Sequence, residues 1–197
     1  MKDNQLQHEL SAIRALMEKS TRFLSLSGLA GVLAGIYALL GGWLALEWLT
    51  ETNQKTNEIV WKISLLAGAI LILSVSTGWL LTIRQARKNG ETPWNPISRK
   101  LLIGMSIPLI TGGLLLLILL YHTHYTLIAP VCLVFYGLAL INAGQYSFPV
   151  VRNLGFWEIG LGLIAALFPE QGLLCWITGF GFLHIRYGLL IHLKLNR

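Results

Sequence analysis

Residues 101–151 read LLIGMSIPLITGGLLLLILLYHTHYTLIAPVCLVFYGLALINAGQYSFPVV and hold no lysine, arginine, aspartate or glutamate. A helix rises about 1.5 Å per residue and the hydrocarbon layer of a bilayer is roughly 30 Å thick, so one crossing takes about 20 apolar residues. This run is far too long for one crossing and well sized for two. The hinge is legible: Tyr121-His122-Thr123-His124-Tyr125 interrupts the aliphatic pattern with polar groups, and Pro130 suits the opening turns of the next helix.

Upstream, 24 uncharged residues lie between Arg22 and Glu47, and 21 between Lys62 and Arg84. Downstream, the run that follows Asn153 carries Glu158, and the run that follows Gly172 carries His184, Arg186 and His192, with Pro169-Glu170-Gln171-Gly172 as the turn between them. A re-entrant hairpin that never crosses is the alternative reading of this last pair. The expected fold is all-α: a polytopic transmembrane helix bundle with six spans near 23–47, 60–83, 100–121, 126–144, 153–168 and 172–192, together a bundle over 22–193.

Composition agrees. Of the 197 residues 54% are hydrophobic and only 12% charged, about half the charged share of a soluble domain. A chain of this size leaves much of its surface exposed after folding, so the excess apolar surface must face lipid. The net charge of +6 could suggest nucleic acid. Its distribution argues otherwise, since the basic residues cluster in short segments between apolar runs with no aromatics interleaved, and no nucleic-acid partner is expected.

The same distribution sets an orientation. With six spans, Lys2, Arg14, Lys19, Arg22, Arg84, Arg87, Lys88, Arg99, Lys100, Arg152, Arg186, Lys194 and Arg197 fall on one side, leaving only Lys55 and Lys62 of the 15 for the other. Positive loops stay in the cytoplasm, so both termini are expected there and the protein in the inner membrane. Trp43, Trp48, Trp61 and Trp176 then map to the outer boundary, and Trp79, Trp94 and Trp157 to the inner one, the headgroup level that indole prefers.

Met1 to Ser20 lacks the apolar core and cleavage site of a secretory signal, so the first span is expected to serve as its own insertion signal. Leu6, Leu10, Ile13 and Met17 recur at helical spacing among charges, which predicts an amphipathic cytoplasmic helix over 1–21. Its apolar face could rest on the membrane, cap the bundle, or dock a cytoplasmic protein partner at residues 1–20. The basic loop from Arg84 to Lys100 is expected to meet lipid headgroups.

In lipid, helices approach through small residues. Gly28, Gly31, Gly35 and Gly42 form one stripe on the first span and are the candidate packing residues, against another helix of the same chain or in a homo-oligomer. Gly155, Ile159, Gly162 and Ala166 repeat the device in the fifth span, and Gly172, Gly179 and Gly181 in the sixth.

An ionisable residue at membrane depth is a functional candidate once a partner can be named. Glu158 and Arg186 sit at comparable distances from the basic ends of their helices, and Gly162 and Ala165 share the face of Glu158, which should therefore point inward. With Asn142 and Gln145 at the end of the fourth span they are expected to form a buried polar site. It could be an ion, proton or solute site, or a salt bridge locking the last two helices.

His122 and His124 are one residue apart, where a helix would point them in different directions, and no third metal ligand is within sequence reach. Cys132 and Cys175 lie inside apolar runs and read as small buried hydrophobes. No nucleophile-base, zinc-protease or phosphate-loop spacing occurs, so neither an enzyme, a metal nor a cofactor is expected.

The stretches MEKSTRFLSLSGLAGVLAGIY at 17–37, FYGLALINA at 135–143 and GFGFLHIRYGLL at 179–190 resemble an uncharacterised family of small bacterial multispan membrane proteins, along most of the chain. The resemblance implies a membrane location and winged-helix regulators encoded nearby; it brings no activity and no functional residue. Two functions remain open: a membrane sensor or regulatory scaffold acting through the amino-terminal helix, and a small transporter or channel using the buried charges.

Overall fold

The computed structural model describes residues 27–51, 57–90 and 92–195, and these are helical throughout apart from short turns. The amphipathic helix expected over 1–21 lies outside the described residues. Six helices follow in order: α1 (Gly28–Glu51), α2 (Asn57–Lys88), α3 (Pro96–Tyr121), α4 (Ile128–Gly144), α5 (Pro149–Leu167), and α6, which runs as an α-helix over Gly172–Trp176, a π-helix over Ile177–Leu183 and an α-helix over His184–Leu195. All six are long and apolar enough to cross a membrane, and the chain is a multi-pass membrane protein.

The boundaries follow local chemistry. Asn95 caps α3, accepting from the backbone N–H groups of Ile97 (3.0 Å) and Ser98 (2.8 Å), while Ser98 Oγ accepts from the Asn95 N–H at 2.9 Å. This reciprocal cap satisfies donors that the first helical turn leaves free, and Pro96 follows at a position that needs none. α5 likewise opens on Pro149, so it begins before the expected 153. Hydroxyls inside the spans bond back to their own helix, as Thr77 does to Leu73 O (2.7 Å) and Thr178 to Leu174 O (2.8 Å), which leaves no polar group facing acyl chains unpaired at those points. With 32 residues α2 reaches about 48 Å, well beyond the hydrocarbon, and its end carries Arg84, Arg87 and Lys88 into the polar region.

Packing order differs from chain order. The helices make the row α2, α1, α6, α5, α4, α3, so that α2 and α3, adjacent in sequence, each lean on one inner neighbour rather than on each other. The most apolar window of α2 is only 6% buried against 44% for that of α6, which places α6 at the centre and α2 at the rim.

Glycines decide who touches whom. A Cβ on Gly28, Gly31 or Gly35 would strike the backbone of Gly188, His192 or Ile185, and one on Gly42 would strike Ile177, so the whole stripe of α1 faces α6 of the same chain. Gly188, which the sequence did not single out, is the counterpart: its Cβ would lie 2.6 Å from Val32 N and 2.7 Å from Gly28 O. Between α4 and α5 the meeting point is Gly137 with Gly155, where a Cβ on either would stand 2.6 Å from the carbonyl oxygen of the other. Such contact lets backbones pack directly where lipid supplies no hydrophobic force between helices.

Pro108 sits inside α3 and is buried. Having no N–H, it leaves the Gly104 carbonyl without its ladder partner. Asn142 of α4 supplies the missing donor, its Nδ2 lying 3.0 Å from Gly104 O. Asn142 therefore clasps α4 to α3.

Two outcomes follow from these contacts in unfolding measurements on the protein in bicelles. Gly188→Ala should lose about 1–3 kcal/mol through overpacking, whereas Gly160→Ala, whose Cβ would meet nothing within 4 Å, should be neutral. Asn142→Ala should cost about 1 kcal/mol in the native background and less beside Pro108→Ala, because the restored N–H of residue 108 takes over the Gly104 carbonyl.

Candidate functional site

The buried end of the polar set forms where α4, α5 and α6 meet. Glu158 is the tenth of the 19 residues of α5, about 14 Å from either end of that helix, and is 0% exposed. Gly155 and Gly162, three residues before and four after it, bring α5 close to α4. The small face thus turns the carboxyl into the bundle midway along the helix, further from its start than the distance from Arg152 suggested, because α5 starts at Pro149.

Its neighbour is a histidine. His184 of α6, 6% exposed, places Nδ1 at 3.4 Å from Glu158 Oε1. Nδ1 also lies 2.9 Å from the carbonyl oxygen of Gly179, and Nε2 lies 2.8 Å from the Tyr136 hydroxyl of α4. A carbonyl can only accept, so Nδ1 carries a hydrogen; in the neutral ring Nε2 then accepts from the Tyr136 O–H. Neither Glu158 oxygen has a hydrogen-bond partner among the described residues, a rare state for buried polar atoms.

Local backbone makes the arrangement possible. Gly179 lies in the π-helical stretch Ile177–Leu183, where the ladder departs from the α pattern and its carbonyl comes within reach of the imidazole five residues on. π-segments in helices recur at functional sites. Gly179 has no side chain for a steric reason: a Cβ there would collide with Glu158 Oε2 and stand 2.8 Å from Leu133 Cδ2. Toward the α6 start the site is closed by rings, Trp176 on Phe180 (centroids 5.1 Å) and Phe180 stacked on His184 (5.6 Å), with Tyr136 against Phe180 (4.8 Å). Tyr136, Phe180 and Trp176 are each half-buried.

The expected Glu158–Arg186 pair does not form. Arg186 is exposed, with its guanidinium 5.8 Å from the centre of the Tyr187 ring. Comparable depth gave no information on direction, and two residues beyond His184 is about 200° around a helix, the flank away from Glu158. The expected four-residue pocket does not assemble either. Asn142 is committed to Gly104 O, and Gln145 is exposed just past the end of α4. Of the four, Glu158 alone belongs to the buried site. His184, which the sequence marks as a polar residue of the last span, and Gly179, which it marks for packing, join Tyr136 in this site; the sequence signal for that grouping is the spacing of Trp176, Phe180 and His184 at intervals of four, which sets three rings on one stripe of α6.

No family model matches the chain, and no curated protein or solved structure is significantly similar to it. The site's chemistry must therefore be read from its own geometry.

That geometry has a direct check. Gly179→Ala should destabilise the protein by about 1–3 kcal/mol, and by less when Glu158→Ala has removed the carboxyl that the new methyl would strike. A double-mutant cycle of unfolding free energies in bicelles reads the difference; strict additivity would mean that the two groups do not touch.

Proposed function

We propose that this multi-pass protein is a small proton-linked transporter in which Glu158 binds and releases a proton inside the bilayer, with His184 and Tyr136 as the relay. The observation that carries the reading is the enclosure of Glu158: a carboxyl 0% exposed at the middle of a span, with both oxygens unpartnered and an imidazole at 3.4 Å. An isolated carboxylate in such a place is costly, and a proton or an imidazolium is what neutralises it. A solute has no access to oxygens so fully covered, whereas a proton passes along hydrogen bonds. The chain Tyr136 O–H, His184 Nε2, His184 Nδ1, Glu158 is continuous but for the last 3.4 Å step, which a small rotation of either side chain closes.

In this reading His184 works by exchanging its Nδ1 donor between two acceptors, Gly179 O and Glu158. With the carboxyl protonated, the hydrogen stays on the carbonyl and the π-turn is held; with the carboxylate charged, it moves to Glu158 and releases the carbonyl. Proton transfer is the chemistry these side chains offer, so transport is favoured over catalysis. The lopsided distribution of lysine and arginine supports cytoplasmic termini and an inner-membrane location. The glycine stripe of α1 is filled by α6, so an oligomer, if formed, would use other faces. A sensor working through residues 1–20 rests on residues outside those described, and no contact of the described ones speaks for it.

Reconstituted in liposomes with an imposed membrane potential, the native protein should acidify or alkalinise the lumen, read by a trapped pH dye, and Glu158→Gln should abolish the flux. Infrared difference spectra across a pH step should show a carboxyl C=O band that Glu158→Gln removes. Absence of both signals from the native protein would overturn the reading.

A further inference from the structure

The turn between α3 and α4 serves neither the helix packing nor the buried site, and its backbone is unusual. Thr123 has φ of 60°, the one positive value among described non-glycine residues. It occupies the residue after the helix cap in a six-residue closure: the N–H of His124 donates to Leu119 O (2.9 Å) and that of Thr123 to Leu120 O (3.2 Å). Glycine is the usual occupant of that position because a Cβ is disfavoured there, and a β-branched residue is a clear outlier. Strain of this kind collects at functional sites.

Its geometric effect is on the two flanking residues. Had the helix continued, His122 and His124 would point about 200° apart. The left-handed residue between them reverses the chain and sets their rings side by side, centroids 6.3 Å apart and planes at 27°. Tyr121 braces the first ring edge-on at 5.2 Å. Both imidazoles are exposed, and among the described residues no hydrogen bond occupies a ring nitrogen of either.

We infer that His122 and His124 form a two-imidazole binding site for a late first-row divalent cation, Cu2+ above Ni2+ or Zn2+, at the membrane face bearing the α3–α4 turn. An imidazole nitrogen binds such an ion at about 2.0–2.1 Å, which puts each ring centre roughly 3 Å from the metal and the two centres roughly 5–6 Å apart. The observed separation is within a small side-chain rotation of that range. Neutral imidazole suits these ions, and the affinity order follows the general trend for divalent metals. Among the described residues no third histidine, cysteine or carboxylate joins the pair, so water completes the coordination and the ion exchanges readily. The site is independent of the proton reading, being on a different turn and using none of its residues.

The test uses the full chain in detergent micelles, purified without a histidine tag, with Cu2+ and Zn2+ as probes. Calorimetry should find one Cu2+ per chain, and electron paramagnetic resonance should show coupling to two imidazole nitrogens. His122→Gln and His124→Gln should each weaken binding by at least about tenfold, since even partners outside the ligand set contribute 10–100-fold. Thr123→Gly, which keeps the closure, should leave binding intact, and His8→Gln should change nothing. Unchanged affinity in either His122→Gln or His124→Gln, two-nitrogen coupling that survives substitution of both histidines, or one ion per two chains would overturn the assignment. Circular dichroism confirms that each variant is folded.

Discussion

A backbone carbonyl released from its helix inside lipid has no water to turn to, and leaving it bare costs several kcal/mol. This protein meets that constraint at one carbonyl, and at a second it sets a side-chain donor on a carbonyl of an irregular helical turn. At Gly104 the missing donor is the work of Pro108, and the amide of Asn142 replaces it across the α3–α4 contact. At Gly179, within the π-segment, the imidazole of His184 adds a side-chain donor 2.9 Å from the carbonyl oxygen. The two contacts differ in one respect that matters. An amide has a fixed complement of hydrogens, whereas an imidazole can gain, lose or relocate one.

That difference separates a clasp from a candidate machine. The Asn142 side chain has one polar partner among the described residues, and its geometry is settled once α3 and α4 are together. His184 has three polar neighbours, Gly179 O, Tyr136 Oη and Glu158 Oε1, for two ring nitrogens. Nδ1 therefore faces two acceptors with a single hydrogen, which goes to the carbonyl and leaves Glu158 Oε1 without it. Packing alone offers no reason to keep a carboxyl there, since an apolar residue of similar volume would fill the space without the cost of burying a polar group.

How far the chain could be read in advance depends on what kind of information a sequence holds. Apolar runs, the polar break at 121–125 and the segregation of basic residues are one-dimensional features, and they yield six spans directly. The side to which Glu158 points was also legible, because Gly162 and Ala165 fix its face on a 3.6-residue period. Its partner was not. Depth pairs residues on different helices but leaves the azimuth free, so it admits Arg186 as readily as the histidine two positions away. The role of Asn142 hides in the same gap: Pro108 announces an orphaned carbonyl four residues earlier, but the helix that answers it is known only once α3 lies on α4. The π-segment defeated the regular period itself, since Gly179 and His184 are five apart and no α-helical wheel places them together. The same limit misled at 122–124, where a helical wheel separates two rings that a left-handed residue brings side by side.

The row order gives α6 its position in this scheme. Its last third is locked against α1, where Gly188 meets Gly28 and Gly31 with no room for a methyl group. Its π-helical middle carries the Gly179 carbonyl, and the residue just after it, His184, bonds that carbonyl and faces Glu158. Between a clamped end and a packed start, a change in hydrogen bonding at Gly179 cannot be absorbed by sliding the helix as a whole, because interfaces of this density have discrete arrangements rather than a continuum. The slack must be taken up within Ile177–Leu183, the stretch whose ladder already departs from the α pattern, and Gly179 and Gly181 within it keep that stretch free of bulky β-carbons at its tightest contacts. Proton transfer at Glu158, if it moves any part of the backbone, has to move that turn first.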